Sequence, residues 1–459
     1  MVVQHNMQAM NANRMLNITT GSQAKSTEKL SSGYKINRAA DDAAGLSISE
    51  KMRKQIRGLD QASTNAEDGV SAVQTAEGAL NEVQSMLQRM NELATQAANG
   101  TNSESDREAI QNEISQLTTE IDRVAETTKF NETYLLKGTN GTQTNTLKGH
   151  DAGIVGTDAN NVTFVDGSQK ATLTIELKAG KSVTIAGKEY NITAGADSSA
   201  ADSIDSVKTA IDSASTVVIN GTTYTKNDDD KFDAGTGTLY SASELQEKVV
   251  DGAKIKVGSD DEVVARDYNL ENNITADEAK SKIETALTQA NNIGVDSGNV
   301  SATGTADGDT YTFEITKGTA TVAKDLSFAL HVGADADMSN KITVDISAMS
   351  AAGLGVQDLN VKDDSGMAAT YAIDAIADAV AKVSAQRSAL GAIQNRLEHT
   401  IDNVDNVVEN TTAAESRIRD TDMAEEMVNY SKNNILTQAG QSMLAQANSS
   451  NQGVLSLLG

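Results

Sequence analysis

Few residues in this 459-residue sequence are placed to do chemistry. The four histidines, His5, His150, His331 and His399, are far apart, and no H-E-x-x-H run exists to set two of them on one zinc-binding helix face. Asp228-Asp229-Asp230 offers oxygen ligands of the kind calcium takes. An EF-hand loop, however, needs oxygens at alternate positions and a glycine at the sixth, where Phe232 and Asp233 hold the fifth and sixth. A solvated turn is the expectation there. Asp41-Asp42 has the composition of an acid/base pair. The small residues that follow, Ala43-Ala44-Gly45, point instead to close backbone packing and turn hydrogen bonds. No G-x-x-x-x-G-K-[ST] phosphate loop and no G-x-S-x-G elbow is present. The chain has no Cys, hence no thiolate nucleophile, thiolate zinc site or disulfide. The expectation is a protein that is not an enzyme and takes no metal or cofactor.

Composition narrows the partners. There are 38 basic and 64 acidic side chains, a net charge of −26, which opposes non-specific binding to nucleic acid or anionic membranes. No stretch of about 18 apolar residues exists to cross a bilayer. Met1-Val2-Val3-Gln4-His5-Asn6 lacks the cationic and apolar regions of a secretory signal, leaving cytosolic residence or unconventional export open. Proline is absent where ordinary usage would supply about 23.

The elements that such a chain offers are unevenly distributed. The centre, 138–365, holds 22 of 34 glycines but two of 13 methionines, and −17 of the −26 charge. The ends resemble each other more than the middle, as when one domain is inserted between two halves of another. From Leu59, every seventh residue is Ala66, Val73, Leu80, Leu87 and Ala94, with a companion series Ala62, Gly69, Ala76, Val83, Met90 and Ala97. That is a heptad seam that must face another helix. Asn99-Gly100 supplies a turn, and Ser105-x-x-Glu108 predicts a capping box for a second helix bearing Ile110, Ile114, Leu117, Ile121 and Val124. Ile376, Val383, Leu390, Leu397 and Val404 make the matching seam near the other end. The fold expected is mainly α at both ends, a long antiparallel coiled-coil bundle formed by the N- and C-terminal segments, with a central α+β insert. In the insert, Thr172–Leu177, Thr310–Ile315 and Asp325–Leu330 alternate like strands, and Asn220-Gly221 is a type I′ hairpin signal. Residues 202–213, 242–253 and 276–291 have helical spacing, and two small subdomains are expected.

The outermost segments carry apolar residues at helical spacing without aromatic anchors: Val3, Met7 and Met10, then Met423, Met427, Ile435, Ala439 and Met443. The tail Val454-Leu455-Ser456-Leu457-Leu458 is apolar at a terminus. An apolar stripe with no partner in its own chain indicates folding on association. The residues alone therefore reach a self-assembling structural protein, against a soluble coiled-coil adaptor that would explain neither tail.

The run from Leu30-Ser31-Ser32-Gly33-Tyr34 through Asn37-Arg38-Ala39-Ala40-Asp41-Asp42-Ala43-Ala44-Gly45-Leu46 resembles bacterial flagellin. The likeness continues at Leu87–Ala94 and Asn99-Gly100-Thr101, and resumes at Ser384–Arg387, Ile418–Glu426 and the Val454–Leu458 tail. It covers about half the chain, roughly 1–137 and 366–459. It implies a flagellar filament subunit in five parts: core segments 1–45 and 413–459, bundle halves 46–137 and 366–412, and a variable surface-exposed insert 138–365. It further implies export without a cleaved signal through the flagellar type III apparatus. The partners implied are copies of itself in a helical homopolymer, an export chaperone and a cap protein. The product is an extracellular bacterial flagellum.

The same resemblance implies two host recognition patches. Gln88, Arg89 and Leu93, with Glu113 on the next helix, match the segment read by the flagellin-sensing Toll-like receptor. Leu455, Leu457 and Leu458 match the segment read by inflammasome receptors. Asn91 stands where many relatives have Arg. A hook–filament junction protein, which shares flagellin-like ends, is the alternative.

Overall fold

The structure, a computed structural model, describes residues 6–456 except 157–161, 196–198, 236, 297–299 and 364–365, with side chains as far as residue 450. Helices α1 (Met7–Ser32), α2 (Ala43–Ala97) and α3 (Glu104–Thr127) come first. In the centre, strands alternate with α4 (Ile204–Ser213), α5 (Ala242–Gln246), α6 (Ala276–Asn291) and α7 (Ala351–Leu354). Helices α8 (Met367–Arg419) and α9 (Met423–Ser456) close the chain. Two compact units form: Met1–Ser71 with Phe328–Val344 and Ala392–Gly459, and Ala72–Ser327 with Asp345–Gly391.

In the second unit the heptad positions are the core. Val73, Ala76, Leu80, Val83, Leu87, Met90 and Ala94 of α2 are buried, with Ile376, Val383 and Leu390 of α8 and Ile110, Ile114 and Ile121 of α3. Spacing of four and three keeps them on one stripe, and the alanines among them let backbones approach. At the seam's edge Arg387 donates to Gln84 Oε1 at 2.6 Å and to Glu77 Oε1 at 3.2 Å. The helix α3 starts earlier than its sequence signal. Ser103, not Ser105, is the N-cap, and the Asp106 carboxylate accepts the Ser103 N–H at 3.0 Å. Both serines have an acid three residues on. Arg107, at the fourth position of the helix, is buried and its Nε donates to Ala97 O at 3.3 Å.

The insert is α+β with two hydrophobic cores. Lys170–Glu176 lies between Val162–Asp166 and Thr310–Thr316, all antiparallel. Its inward Leu173 and Ile175 meet Phe313, Ile315 and the α6 residues Ile283 and Leu287. The other core joins a six-stranded sheet to α4 and α5 through Val217, Ile219, Phe232, Ile255, Ile211 and Leu245. Here Asn220 and Gly221 take φ of +49° and +80° between paired Ile219 and Thr222, the type I′ turn. The helix expected over 242–253 stops at Gln246. Val249 turns into the core, and Gly252 takes a φ of +81° that no helix continues through.

The first unit continues the heptad pattern. Ala66, Leu397 and Ile342 form a cluster flanked by Val70, Leu330, Ile393 and Ile401. Ser63 bonds Asp405 at 3.1 Å and Ser49 bonds Glu415 at 2.9 Å, so α2 and α8 run antiparallel. A Cβ on Gly69 would fall 2.2 Å from Leu330 Cδ1 and 3.3 Å from Leu397 Cδ1, so the end of the Leu330 side chain would have to swing aside.

Candidate functional site

The candidate assembly surface belongs to the first unit. Helix α1 is opened by Asn6, whose side chain accepts the Ala9 N–H at 3.0 Å, and closed by Gly33 in the left-handed region at φ +78°. Along it α9 runs antiparallel: Lys29 meets Glu426 at 3.8 Å, Thr437 meets Gln23 at 3.2 Å, and Asn6 donates to Ala447 O at 3.0 Å. Leu16 packs at Gly440, where even a Cβ would sit 3.3 Å from its Cδ1.

These inner contacts mix polar side chains with Leu16 at Gly440. Ser26 is the one fully buried side chain of α1. Many of the larger apolar residues of both helices are nonetheless exposed. Met7 is 68% exposed, Met10 63%, Val428 68% and Ile435 66%, and Met423 and Met427 are about half exposed. Met15, Ile18, Leu436 and Met443 extend the stripe. Sequence reading missed Met15, Ile18, Val428 and Leu436, although they continue the helical spacing of Met7, Met10 and Ile435. Between the two helices lies a groove of ≈ 760 Å³ lined by Met15, Leu16, Ala439, Gly440 and Met443. Val3, Leu457 and Leu458 lie outside the described residues. Val454 and Leu455 fall in the last turns of α9, beyond the last described side chain.

The second patch lies in the other unit. Arg89 of α2 donates through Nε to Glu113 Oε1 of α3 at 2.9 Å and through Nη1 to Glu92 Oε2 at 3.1 Å. Those bonds, the Glu113 one foremost, hold the guanidinium pKa above its ordinary value. Gln88 is exposed beside it, whereas Leu93 is 2% exposed and packs inward. Gln88, Arg89 and Glu113 thus share a solvent-facing ridge, with Leu93 beneath it. Glu92 went unread as a partner, although its place three residues after Arg89 on one helix makes the two neighbours. The buried Asn91 Oδ1 has no hydrogen-bond partner.

The candidate chemistry resolves into turns. Asp42 accepts the N–H groups of Ala44 and Gly45 at 3.1 and 2.9 Å at the start of α2. Asp41 accepts those of Asn37 and Arg38, the latter bond lowering its carboxyl pKa. Asn227 holds the Asp228–Asp230 turn by accepting from Asp229 and Lys231, and Asp230 has φ +60°. His150 lies in a cavity of ≈ 370 Å³ with Ile293, Leu354 and Asp378, its Nε2 3.9 Å from Asp378 Oδ2. Burial pushes its pKa below the usual histidine value. Among the described residues, no three His, Asp or Glu side chains gather as a metal would require.

Residues 3–141 match the bacterial flagellin N-terminal helical region and residues 373–458 the bacterial flagellin C-terminal helical region. A flagellin of Clostridium tyrobutyricum is 38% identical over 455 residues, covering 98% of this chain and 100% of that one. The chain belongs to the bacterial flagellin family. Polar flagellin A of Vibrio parahaemolyticus is 35% identical, covering 100% of this chain and 99% of its own. A flagellin of Halalkalibacterium halodurans is 34% identical with 100% of both chains covered. Among solved structures, FliC from Burkholderia pseudomallei aligns over 72% of this chain and 99% of its own at 17% identity, with a TM-score of 0.29, an overlap too loose to bear on the fold. Flagellins are structural filament subunits, not enzymes, and they homopolymerise into the extracellular flagellar filament. None of the described helices is long and apolar enough to cross a membrane.

Proposed function

We propose that this chain builds a motility filament by packing the outward stripe of α1 and α9 against the same stripe of neighbouring copies. The observation that carries the reading is the exposure of Met7, Met10, Val428 and Ile435 on helices whose inner faces are already paired. Contiguous exposed apolar surface is costly in a monomer and is relieved by association. In this reading 1–45 and 413–459 form the filament core, 46–137 and 366–412 the layer outside it, and 138–365 the outer surface. The subunit travels unfolded through the type III channel with a chaperone on its C-terminal segment and adds beneath a cap protein. The flagellin resemblance supports that route over a hook–filament junction role. Electron microscopy of salt-induced polymers tests the assembly. Deleting Gly453–Gly459 leaves the insert folded and blocks polymerisation, and filaments of normal length from the truncation would sink the role of the tail.

The Arg89–Glu113 ridge supports a second reading, recognition by a host Toll-like receptor through Gln88, Arg89, Leu93 and Glu113. Exposed, oriented arginine is a common hot spot, and Arg89→Ala is expected to weaken receptor binding by more than about 1 kcal/mol. A dissociation constant unchanged in a binding titration would leave that ridge a purely structural one. The C-terminal Leu455, Leu457 and Leu458 are proposed for inflammasome receptors once released from the polymer.

A further inference from the structure

The two crossings between long helices and terminal helices lie side by side in the first unit, and one arginine joins them. Residues 33–42 lead from α1 to α2, and residues 420–422 lead from α8 to α9. The crossings bond to each other as a short antiparallel ladder: the Lys35 N–H donates to Arg419 O at 2.6 Å, the Thr421 N–H to Gly33 O at 3.0 Å, and Tyr34 bridges Asp420. Arg419, the last residue of α8, sends its side chain across them. Its guanidinium lies 4.8 Å over the Tyr34 ring, and Nη1 donates to Glu50 Oε1 of α2 at 2.8 Å and to Ser49 Oγ at 3.4 Å. Glu415, one turn back on α8, lies 3.9 Å away and accepts from the buried Ser49. The Arg419 side chain is only 13% exposed.

A planar cation stacked on an aromatic face while its edge meets a carboxylate is fixed in orientation as well as position. Lysine cannot reproduce this, because its ammonium is a point charge without a plane. Removing the guanidinium leaves Tyr34 without its lid and Glu50 with only the longer bond from Arg53 at 3.5 Å, so the crossings keep their two-bond ladder but lose the side chain that reaches across them. We propose that Arg419 is the positioning residue for assembly: it locks both crossings so that α1 and α9 leave together in the direction that presents their outward stripe to a second copy. This rests on the assembly reading above and adds the residue that aims the surface.

The full-length chain with Arg419→Gln, Arg419→Lys and Tyr34→Phe tests it by seeded polymerisation and amide hydrogen exchange. R419Q is expected to raise the critical concentration for growth roughly tenfold or more. It is also expected to lose protection at Lys35 and Thr421, while the insert amides around Leu173 and Phe313 keep theirs. R419K should restore part of both effects, and Y34F, which keeps the ring, should match the parent chain. R419Q growing at the parent's critical concentration, or retaining protection at Lys35 and Thr421, overturns the role of Arg419 alone. A parent chain that forms no polymer from seeds overturns the assembly reading, and with it the purpose assigned to Arg419.

Discussion

Two helix pairs in this molecule have the same secondary structure and opposite packing. Along α2 and α8 nearly every heptad position is buried, from Val73 to Ala97 on one helix and from Ile376 to Leu397 on the other. Along α1 and α9 the larger apolar residues are mostly exposed, and the shared face mixes Asn6, Gln23, Ser26 and Thr437 with Leu16, Ala439 and Gly440. Helix propensity does not separate the two pairs. What does is which side of each helix carries the apolar residues. A seam turned inward closes within the chain, and a stripe turned outward leaves apolar surface open to solvent.

That contrast can be broken in order of expected effect. Leu87→Ala removes a fully buried seam residue and is expected to cost about 2–5 kcal/mol, read as a lower midpoint in denaturant. A midpoint shift under about 1 kcal/mol would mean the seam is not the load on which the helices close. Gly69→Ala places a methyl 2.2 Å from Leu330 Cδ1, the end of a side chain that can rotate aside, and Ala gains helix propensity, so a net change of no more than about 1 kcal/mol is expected in the same experiment.

Acid is expected to act on the joint and not on the seam. The hydrogen bond from Arg419 holds the Glu50 carboxyl below its ordinary pKa. A carboxylate depressed in the folded state contributes stability above the ordinary glutamate range, and that stability is lost as pH falls through the lowered value. Amide protection at Lys35 and Thr421 should therefore fall with acid before that at Leu87 and Leu390, whose side chains do not titrate. Simultaneous loss would erase the distinction. Smallest on folding, Met10→Ser with Ile435→Ser should change the thermal midpoint by no more than about 0.5 kcal/mol allows, because both residues lie in solvent. Their effect should appear as lost polymerisation in light scattering.

The heptads were legible because a seven-residue period survives any detail of packing, and Asn220-Gly221 was legible because few dipeptides accept two positive φ values. Alternation placed Leu173, Ile175, Phe313 and Ile315 on an inner face correctly. Pairing was another matter. Lys188–Thr193 lies parallel to Asn273–Thr275, about eighty positions later, and nothing local in either strand names the other. The approach of Leu330 to residue 69 was invisible for the same reason, since the two are distant in sequence. The start of α3 was misplaced by two residues because Ser103 and Ser105 carry the same signal, each with an acid three residues on. On the candidate surface, residue type revealed the methionines, while Arg419 looked like any cation at a helix end until Tyr34 and Glu50 were seen against it.

The separation between bonded partners has a consequence in time. Asn6 and Ala447 are 441 positions apart, and Ser49 and Glu415 are 366. While a ribosome makes the chain, α1 and the first half of α2 have nothing to close upon until the final stretch emerges. Local sheets such as Thr216–Ile219 with Thr222–Lys226 need only a few neighbours and can form long before. Closing so large a loop is slow, although its entropy grows only logarithmically with length. A prematurely terminated copy would keep an orphan first helix, and on the assembly reading proposed above it would lack the paired surface offered to other copies.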